Sequence, residues 1–67
     1  MIKPSDALIQ FVESQAEKES LAKRLGVTLQ TIYNLTNAKY NVSAPLIAKI
    51  LNETGFEFEK AFEVKED

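Results

Sequence analysis

The stretch Glu19–Asn37, "ESLAKRLGVTLQTIYNLTN", holds two short amphipathic segments separated by the break Gly26–Thr28. Gly26 can adopt a positive φ without steric cost, and Val27 is an apolar residue at the corner. Ala22 is small where the first segment must approach the second closely. The pattern predicts two helices joined by a tight turn, which is a helix-turn-helix.

The second helix of this motif has one apolar face and one uncharged polar face. Thr28 is predicted to cap it, and Ile32 and Leu35 are predicted to face inward. The 100° step between helical residues then turns Gln30 and Asn34 outward. The turn and this helix carry no charged residue, although 27% of the chain is charged.

Caps and apolar spacing extend the helical pattern along the whole chain. Ser5 and Ser43 are predicted N-caps, and Gly26 and Gly55 are predicted to end helices. The start of the second helix is open, because a Ser14-x-x-Glu17 capping box would start it at 15 and a start near 18 fits equally well. No segment alternates with period two, so no sheet is predicted. The fold class is therefore a compact all-α domain of five helices, at about 5–14, 17–25, 28–36, 43–54 and 57–63.

Length and composition limit what the chain can do. Sixty-seven residues are predicted to make a single domain, 1–67. There is no cysteine and no histidine, so a zinc site or a histidine base is excluded. No metal, cofactor or small-molecule ligand is expected, and an enzyme is the least favoured class. The apolar run at the N-terminus is too short for a signal peptide or a membrane span, which favours a soluble protein inside the cell.

One apolar core is predicted to hold the helices together. It combines residues from the motif with residues from the first, fourth and fifth helices. The predicted members are Leu8, Val12, Leu21, Leu25, Val27, Ile32, Leu35, Ile47, Ile50 and Phe62.

The charges are unevenly distributed along the chain, whose formal net charge is −2. Residues 15–50 carry five lysines and arginines against two glutamates, whereas residues 51–67 carry six acidic residues against two lysines. The middle is basic, as nucleic-acid binding would require, and the short tail at about 63–67 is acidic.

Four segments in order resemble the lambda-repressor-like, Cro/XRE family of bacterial and phage regulators. They are "LAKRLGVTLQTIYNL" at 21–35, "NAK" at 37–39, "NVS" at 41–43 and "IAKILNETGFEFEKAF" at 47–62. The resemblance covers about residues 16–62. It implies a five-helix DNA-binding domain in the cytoplasm of a bacterial or phage-infected cell.

Three positions differ from what is common in that family. Ala38 replaces a frequent glycine, so either Ala38 or Asn37 is expected to adopt a positive φ in the loop. Glu17 stands where a capping hydroxyl is expected, and Lys18 where glutamine is frequent. The Glu17 carboxylate would repel a phosphate near the start of that helix.

The resemblance also implies a DNA interface centred on the third helix. Gln and Asn can make bidentate hydrogen bonds to adenine, and Leu can contact the thymine methyl. The predicted base contacts are Leu29, Gln30, Tyr33 and Asn34. The predicted phosphate contacts are Lys18, Thr28, Thr31, Asn37, Lys39 and Tyr40.

Each base-contact prediction has a plainer interpretation beside it. Gln30 and Asn34 could form a solvated face. The Tyr33 ring could pack on a lysine stem, and Leu29 could fold back onto Val27. The three phenylalanines Phe56, Phe58 and Phe62 are first of all core residues, although an unpaired aromatic among them would make a dimer seam.

The sequence predicts a sequence-specific regulator of transcription, most simply a repressor that occupies an operator in double-stranded DNA. A homodimer is expected, and it could form only when the protein is bound to DNA. The alternative is a protein-interaction module or an antitoxin-type regulator with weak DNA affinity. The acidic tail and the negative net charge favour that alternative.

Overall fold

Five helices and two short strands make up the computed structural model, which describes residues 1–66. The elements, in chain order, are β1 (Ile2–Pro4), α1 (Asp6–Ser14), α2 (Lys18–Leu25), α3 (Leu29–Asn34), α4 (Ala44–Thr54), α5 (Phe58–Ala61) and β2 (Phe62–Val64). The predominantly helical, five-helix architecture predicted from sequence is therefore present. None of the helices described, of which α4 with 11 residues is the longest, is long and apolar enough to cross a membrane.

The ends of the helices follow the chemistry of their capping residues. The Ser5 hydroxyl accepts a hydrogen bond from the Leu8 N–H at 3.2 Å at the start of α1. Gly26 and Gly55 end α2 and α4 with φ of 70° and 73°, the left-handed conformation that glycine adopts freely. Ser43 is the N-cap of α4, but within residues 1–66 its side chain makes no capping hydrogen bond.

The second helix begins at Lys18, the later of the two starts that the sequence left open. The Ser14–Glu17 capping box, which would have gone with the earlier start, is absent from the described residues. Ser14 instead donates its hydroxyl to the Phe11 carbonyl at 2.7 Å, at the end of α1. Glu17 is the N-cap by its extended backbone, without a side-chain capping bond in this part of the chain.

The prediction that the chain has no sheet is wrong. β1 and β2 pair antiparallel, with Ile2 opposite Val64, Lys3 opposite Glu63 and Pro4 opposite Phe62. Three-residue strands are too short to show an alternating pattern, and their partners lie about sixty residues apart in sequence. The same pairing shortens the last helix, predicted at 57–63, because Phe62 is already extended (φ −135°, ψ 156°). The predicted acidic tail thus begins as a strand, and its last residue, Asp67, lies outside the described residues.

The core of the described chain contains twelve buried apolar residues from all five helices, the connection between α3 and α4, and β2. Eight were predicted, and Val27 and Ile47 from the same prediction are half-buried against this core. The other four, Ala22, Val42, Leu46 and Ala61, were not in the predicted list. The members are Leu8, Val12, Leu21, Ala22, Leu25, Ile32, Leu35, Val42, Leu46, Ile50, Ala61 and Phe62.

Candidate nucleic-acid interface

The turn between α2 and α3 is fixed by backbone hydrogen bonds around Gly26. The Gly26 N–H donates to the Lys23 carbonyl at 3.2 Å, and the Val27 N–H donates to the Ala22 carbonyl at 2.9 Å. These two bonds and the positive φ of Gly26 form a Schellman motif, which satisfies the carbonyls at the end of α2. Val27 is half-buried against the core at the corner. The turn therefore holds α3 at a set angle to α2.

Thr28 caps α3 as predicted. Its hydroxyl accepts from the Thr31 N–H at 3.2 Å and lies 3.1 Å from the Thr31 hydroxyl. Both threonines were predicted phosphate contacts. Their hydroxyls are already engaged in starting the helix, and Thr28 remains exposed while Thr31 is half-buried.

Two buried residues anchor α3 and decide which of its faces meets solvent. Ile32 and Leu35 are both 0% exposed, as their spacing predicted. On the other side, Gln30 is exposed and Tyr33 is 51% exposed. Leu29 and Asn34 are half-buried. The four predicted base-contacting residues thus lie together on a helix whose inner face is held in the core.

Gln30 and Asn34 are joined to each other. The Gln30 Nε2 donates to the Asn34 Oδ1 at 3.1 Å, across one helical turn. Within residues 1–66, the side-chain carbonyl oxygen and one side-chain N–H of Gln30 have no partner, and neither has either side-chain N–H of Asn34. The linked pair therefore offers donors and an acceptor together on α3, which the sequence did not reveal.

The loop after α3 is built around Asn37 without a left-handed residue. The Asn37 Oδ1 accepts from the Lys39 N–H at 2.9 Å, and the Asn37 carbonyl accepts from the Tyr40 N–H at 2.9 Å. Among residues 1–66, glycines alone have positive φ. The expectation that Asn37 or Ala38 adopts a positive φ is therefore wrong, because the asparagine side chain closes the turn instead.

The cationic side chains predicted to hold phosphates lie at the two ends of this face. Lys39 is exposed, and its carbonyl accepts from the Lys3 ammonium at 2.6 Å. Tyr40 is half-buried against the core. Lys18 is half-buried, with its ammonium 3.3 Å from the Gln15 carbonyl. No feature of the sequence near Lys3 indicated that this lysine would reach the loop.

An open groove of about 350 Å³ lies between the start of α2 and the exposed side of α3. Its rim carries two carboxylates beside one ammonium, so the groove has mixed charge and not the uniformly positive surface that favours phosphate. The residues that line it are Ala16, Glu17, Lys18, Glu19, Leu29 and Tyr33.

The three phenylalanines predicted as a dimer seam have partners within the chain. Phe62 is 3% exposed and lies in the core, 5.4 Å from the Phe58 ring. Phe56 meets Phe11 edge to face at 5.4 Å, and the Lys60 ammonium lies 5.5 Å from the Phe56 ring centroid. Phe56 and Phe58 are half-buried, so they keep exposed area that Phe62 lacks.

Neither a metal site nor a network of ion pairs lies among the described residues. Between residues 1 and 66, no group of three histidine, cysteine, aspartate or glutamate side chains is arranged to hold a metal ion. The only ion pair among residues 1–66 joins Arg24 of α2 to Glu53 of α4, with 3.7 Å between the guanidinium nitrogen and the carboxylate oxygen. The candidate interface thus combines amides, hydroxyls, one leucine, one exposed aromatic ring and flanking lysines, with two carboxylates on the rim of its groove.

Comparison with known proteins identifies the same segment. A family model described as helix-turn-helix matches residues 14–60, which include α2, the turn, α3, α4 and part of α5. No curated protein and no solved structure matched the chain. β1 and β2 both lie outside the matched segment.

Proposed function

The chain belongs to the Cro/XRE helix-turn-helix family of DNA-binding transcription regulators, and from this premise we propose that it is an operator-specific repressor that reads the major groove with α3. A bound domain would obstruct polymerase at the operator. No chemistry on the DNA is required for this.

The observation that best supports this proposal is that α3 has a buried apolar face and an uncharged polar face. Ile32 and Leu35 fix the helix in the core, so the Gln30–Asn34 pair projects from a rigid support. Amide side chains on such a helix can donate to and accept from base edges, and each good bidentate pair discriminates by about 1–3 kcal/mol. A face without charge gains affinity only where the base pattern matches.

Base contacts are proposed for Leu29, Gln30, Tyr33 and Asn34 together. Leu29 begins α3, the end of a recognition helix that reaches base edges most often. Tyr33 is the most exposed of the large apolar residues on this helix, and its ring suits a sugar or base edge.

Phosphate contacts are proposed at the two ends of α3. Lys39 is the principal one, because its ammonium is exposed while its main chain is fixed. Lys18 is proposed at the other end, where Glu17 and Glu19 weaken its attraction for phosphate. The remaining candidates are neutral groups beside these lysines, namely Thr28, Thr31, Asn37 and Tyr40.

A symmetric homodimer is proposed for the DNA-bound form. One domain offers one six-residue recognition helix, and such domains pair on half-sites about 34 Å apart. The seam is proposed at Phe56 and Phe58, since Phe62 is buried in its own domain. A small seam of this kind makes a dimer that is stable on DNA and weak in free solution.

The exposed carboxylates of the chain favour one alternative, a protein-interaction or antitoxin-type regulator. Glu57, Glu59, Glu63 and Glu66 are all exposed, and Glu17 and Glu19 lie on the rim of the groove beside α3. These carboxylates oppose phosphate binding and would suit a basic protein partner.

The proposal is tested by titrating generic duplex DNA at several salt concentrations and by selecting bound sites from random DNA. Phosphate-driven binding weakens steeply with salt. The logarithm of the binding constant falls linearly with the logarithm of the salt concentration, and the magnitude of this salt slope is about 0.9 per phosphate neutralised. Lys39→Ala should lower that slope by about 1 on every sequence, while Lys49→Ala, an exposed lysine on α4, should leave it nearly unchanged. Absence of salt-dependent binding at low salt would favour the interaction module instead.

A further inference from the structure

The strand β1 connects the two ends of the chain to the loop that follows the recognition helix. On one edge it pairs with β2 in the register that places Lys3 opposite Glu63. The Met1 and Lys65 backbones extend that pairing, because the Lys65 N–H donates to the Met1 carbonyl at 2.8 Å. None of these residues belongs to the segment 14–60 that the family shares.

The other edge of β1 binds the loop between α3 and α4 at three points. The Val42 N–H donates to the Ile2 carbonyl at 2.8 Å, and the Ile2 N–H donates to the Asn41 Oδ1 at 3.4 Å. The Lys3 ammonium donates to the Lys39 carbonyl at 2.6 Å. Three residues of this loop, Lys39, Asn41 and Val42, are therefore hydrogen-bonded to the N-terminal strand.

As a result, both main-chain polar groups of Lys39, the N–H and the carbonyl, are hydrogen-bonded. The Lys39 N–H is bound by the Asn37 side chain, and the Lys39 carbonyl is bound by the Lys3 ammonium. A bond from a charged donor is stronger than a neutral one. The Lys39 side chain itself is exposed and makes none of the hydrogen bonds or ion pairs found among the described residues. A fixed backbone with an uncommitted ammonium is suited to meeting a fixed phosphate.

The Lys3 ammonium binds the loop although a carboxylate lies across the strand pair. Glu63 lies directly across the strand pair, yet within residues 1–66 the two side chains form no ion pair. Its ammonium instead crosses to the loop. The Lys3 ammonium is thus a second positive charge beside Lys39, and it forms no ion pair within the described residues.

We infer that Lys3 is a positioning residue for DNA binding: it fixes the Lys39 main chain, so that the Lys39 ammonium meets a phosphate without first ordering the loop. The inference rests on the proposed function. It makes the affinity for DNA depend on the β1–β2 sheet, which lies outside the shared helix-turn-helix segment.

The test compares Lys3→Met, Lys3→Arg, Lys39→Met and the double variant Lys3→Met/Lys39→Met in duplex titrations across salt concentrations. Lys3→Met should weaken binding about fivefold, the cost of ordering roughly one residue, with little change in the salt slope. In the Lys39→Met background it should have no further effect. Lys3→Arg should bind like the parent, because a guanidinium also donates to a carbonyl. Lys65→Met, which removes one exposed lysine of the tail, controls for net charge.

Two outcomes overturn the inference while the proposed function stands. Equal affinity of Lys3→Met and the parent removes any role for Lys3. A slope lowered by about 0.9 in both backgrounds makes Lys3 an independent phosphate contact and not a positioning residue. If the parent itself binds no DNA, the proposed function fails first and the inference falls with it.

A second measurement checks the positioning without DNA. Backbone ¹⁵N order parameters of residues 38–40 should fall in Lys3→Met and stay at the parent value in Lys3→Arg. Unchanged order in Lys3→Met would show that the ammonium does not hold the loop, and would overturn the inference.

Discussion

Ser5 joins the start of α1 to the end of α5, and its removal should cost more than an ordinary cap. Its hydroxyl accepts from the Leu8 N–H at 3.2 Å and donates to the Lys60 carbonyl at 2.6 Å, and the residue is 8% exposed. Losing the cap costs about 1 kcal/mol. Leaving a part-buried carbonyl without its donor costs about 1 kcal/mol more. Ser5→Ala should therefore lower the free energy of unfolding by about 2 kcal/mol.

The assay is reversible unfolding by heat and by urea, followed by circular dichroism. For a domain of this size, 2 kcal/mol corresponds to a fall in Tm of roughly 8–16 °C. Ser43→Ala is the matched control, since Ser43 is also a serine N-cap but makes no capping bond within the described chain. It should change stability by less than about 0.5 kcal/mol. Equal losses in the two variants would refute the role given to the Ser5 hydrogen bonds.

Three further predictions concern the frame of the motif. Leu35→Ala, at a fully buried residue, should cost about 2–5 kcal/mol, most of the stability of a small domain, and an unchanged cooperative melt would contradict it. Gly26→Ala should lower the free energy of unfolding by only about 1 kcal/mol, the cost of a positive φ, because an added Cβ meets nothing within 4 Å among the described residues. A urea midpoint equal to that of the parent would show that the turn is not left-handed. Glu53→Gln should stay within about 0.5 kcal/mol of the parent in the same titration, since its pair with Arg24 is partly exposed, and a larger loss would mean that the pair is shielded from water.

Features that depend on neighbours in sequence were predictable, because their physics is local. The hydroxyl of Ser5 and the φ of Gly26 act within one helical turn, and both were placed correctly. Ile32 and Leu35 were assigned to the core from their spacing alone. The capping box at Ser14 failed because the hydroxyl had a competing acceptor, the Phe11 carbonyl one turn back.

Features that depend on distant residues were not predictable. β1 and β2 are three residues each, so neither carries a period, and their pairing joins opposite ends of the chain. Lys3 reaches the Lys39 carbonyl for the same reason, since the sheet brings the N-terminus beside the loop.

The loop conformation was missed because Asn37 can close a turn by its side chain as well as by a positive φ, and spacing does not distinguish the two.

The central claim is that the amides of α3 read bases, and operator discrimination measures it directly. After site selection, the affinities of the parent, Gln30→Ala and Asn34→Ala would be measured for the operator and for every single-base variant. Asn52→Ala, an exposed amide on α4, is the control. Loss of the Gln30–Asn34 bond should change stability by no more than a few tenths of a kcal/mol. Each amide variant should lose about 1–3 kcal/mol of discrimination at one operator position, with non-specific affinity nearly unchanged. If both variants melt like the parent and rank every operator variant as the parent does, the face is merely solvated and the claim is wrong.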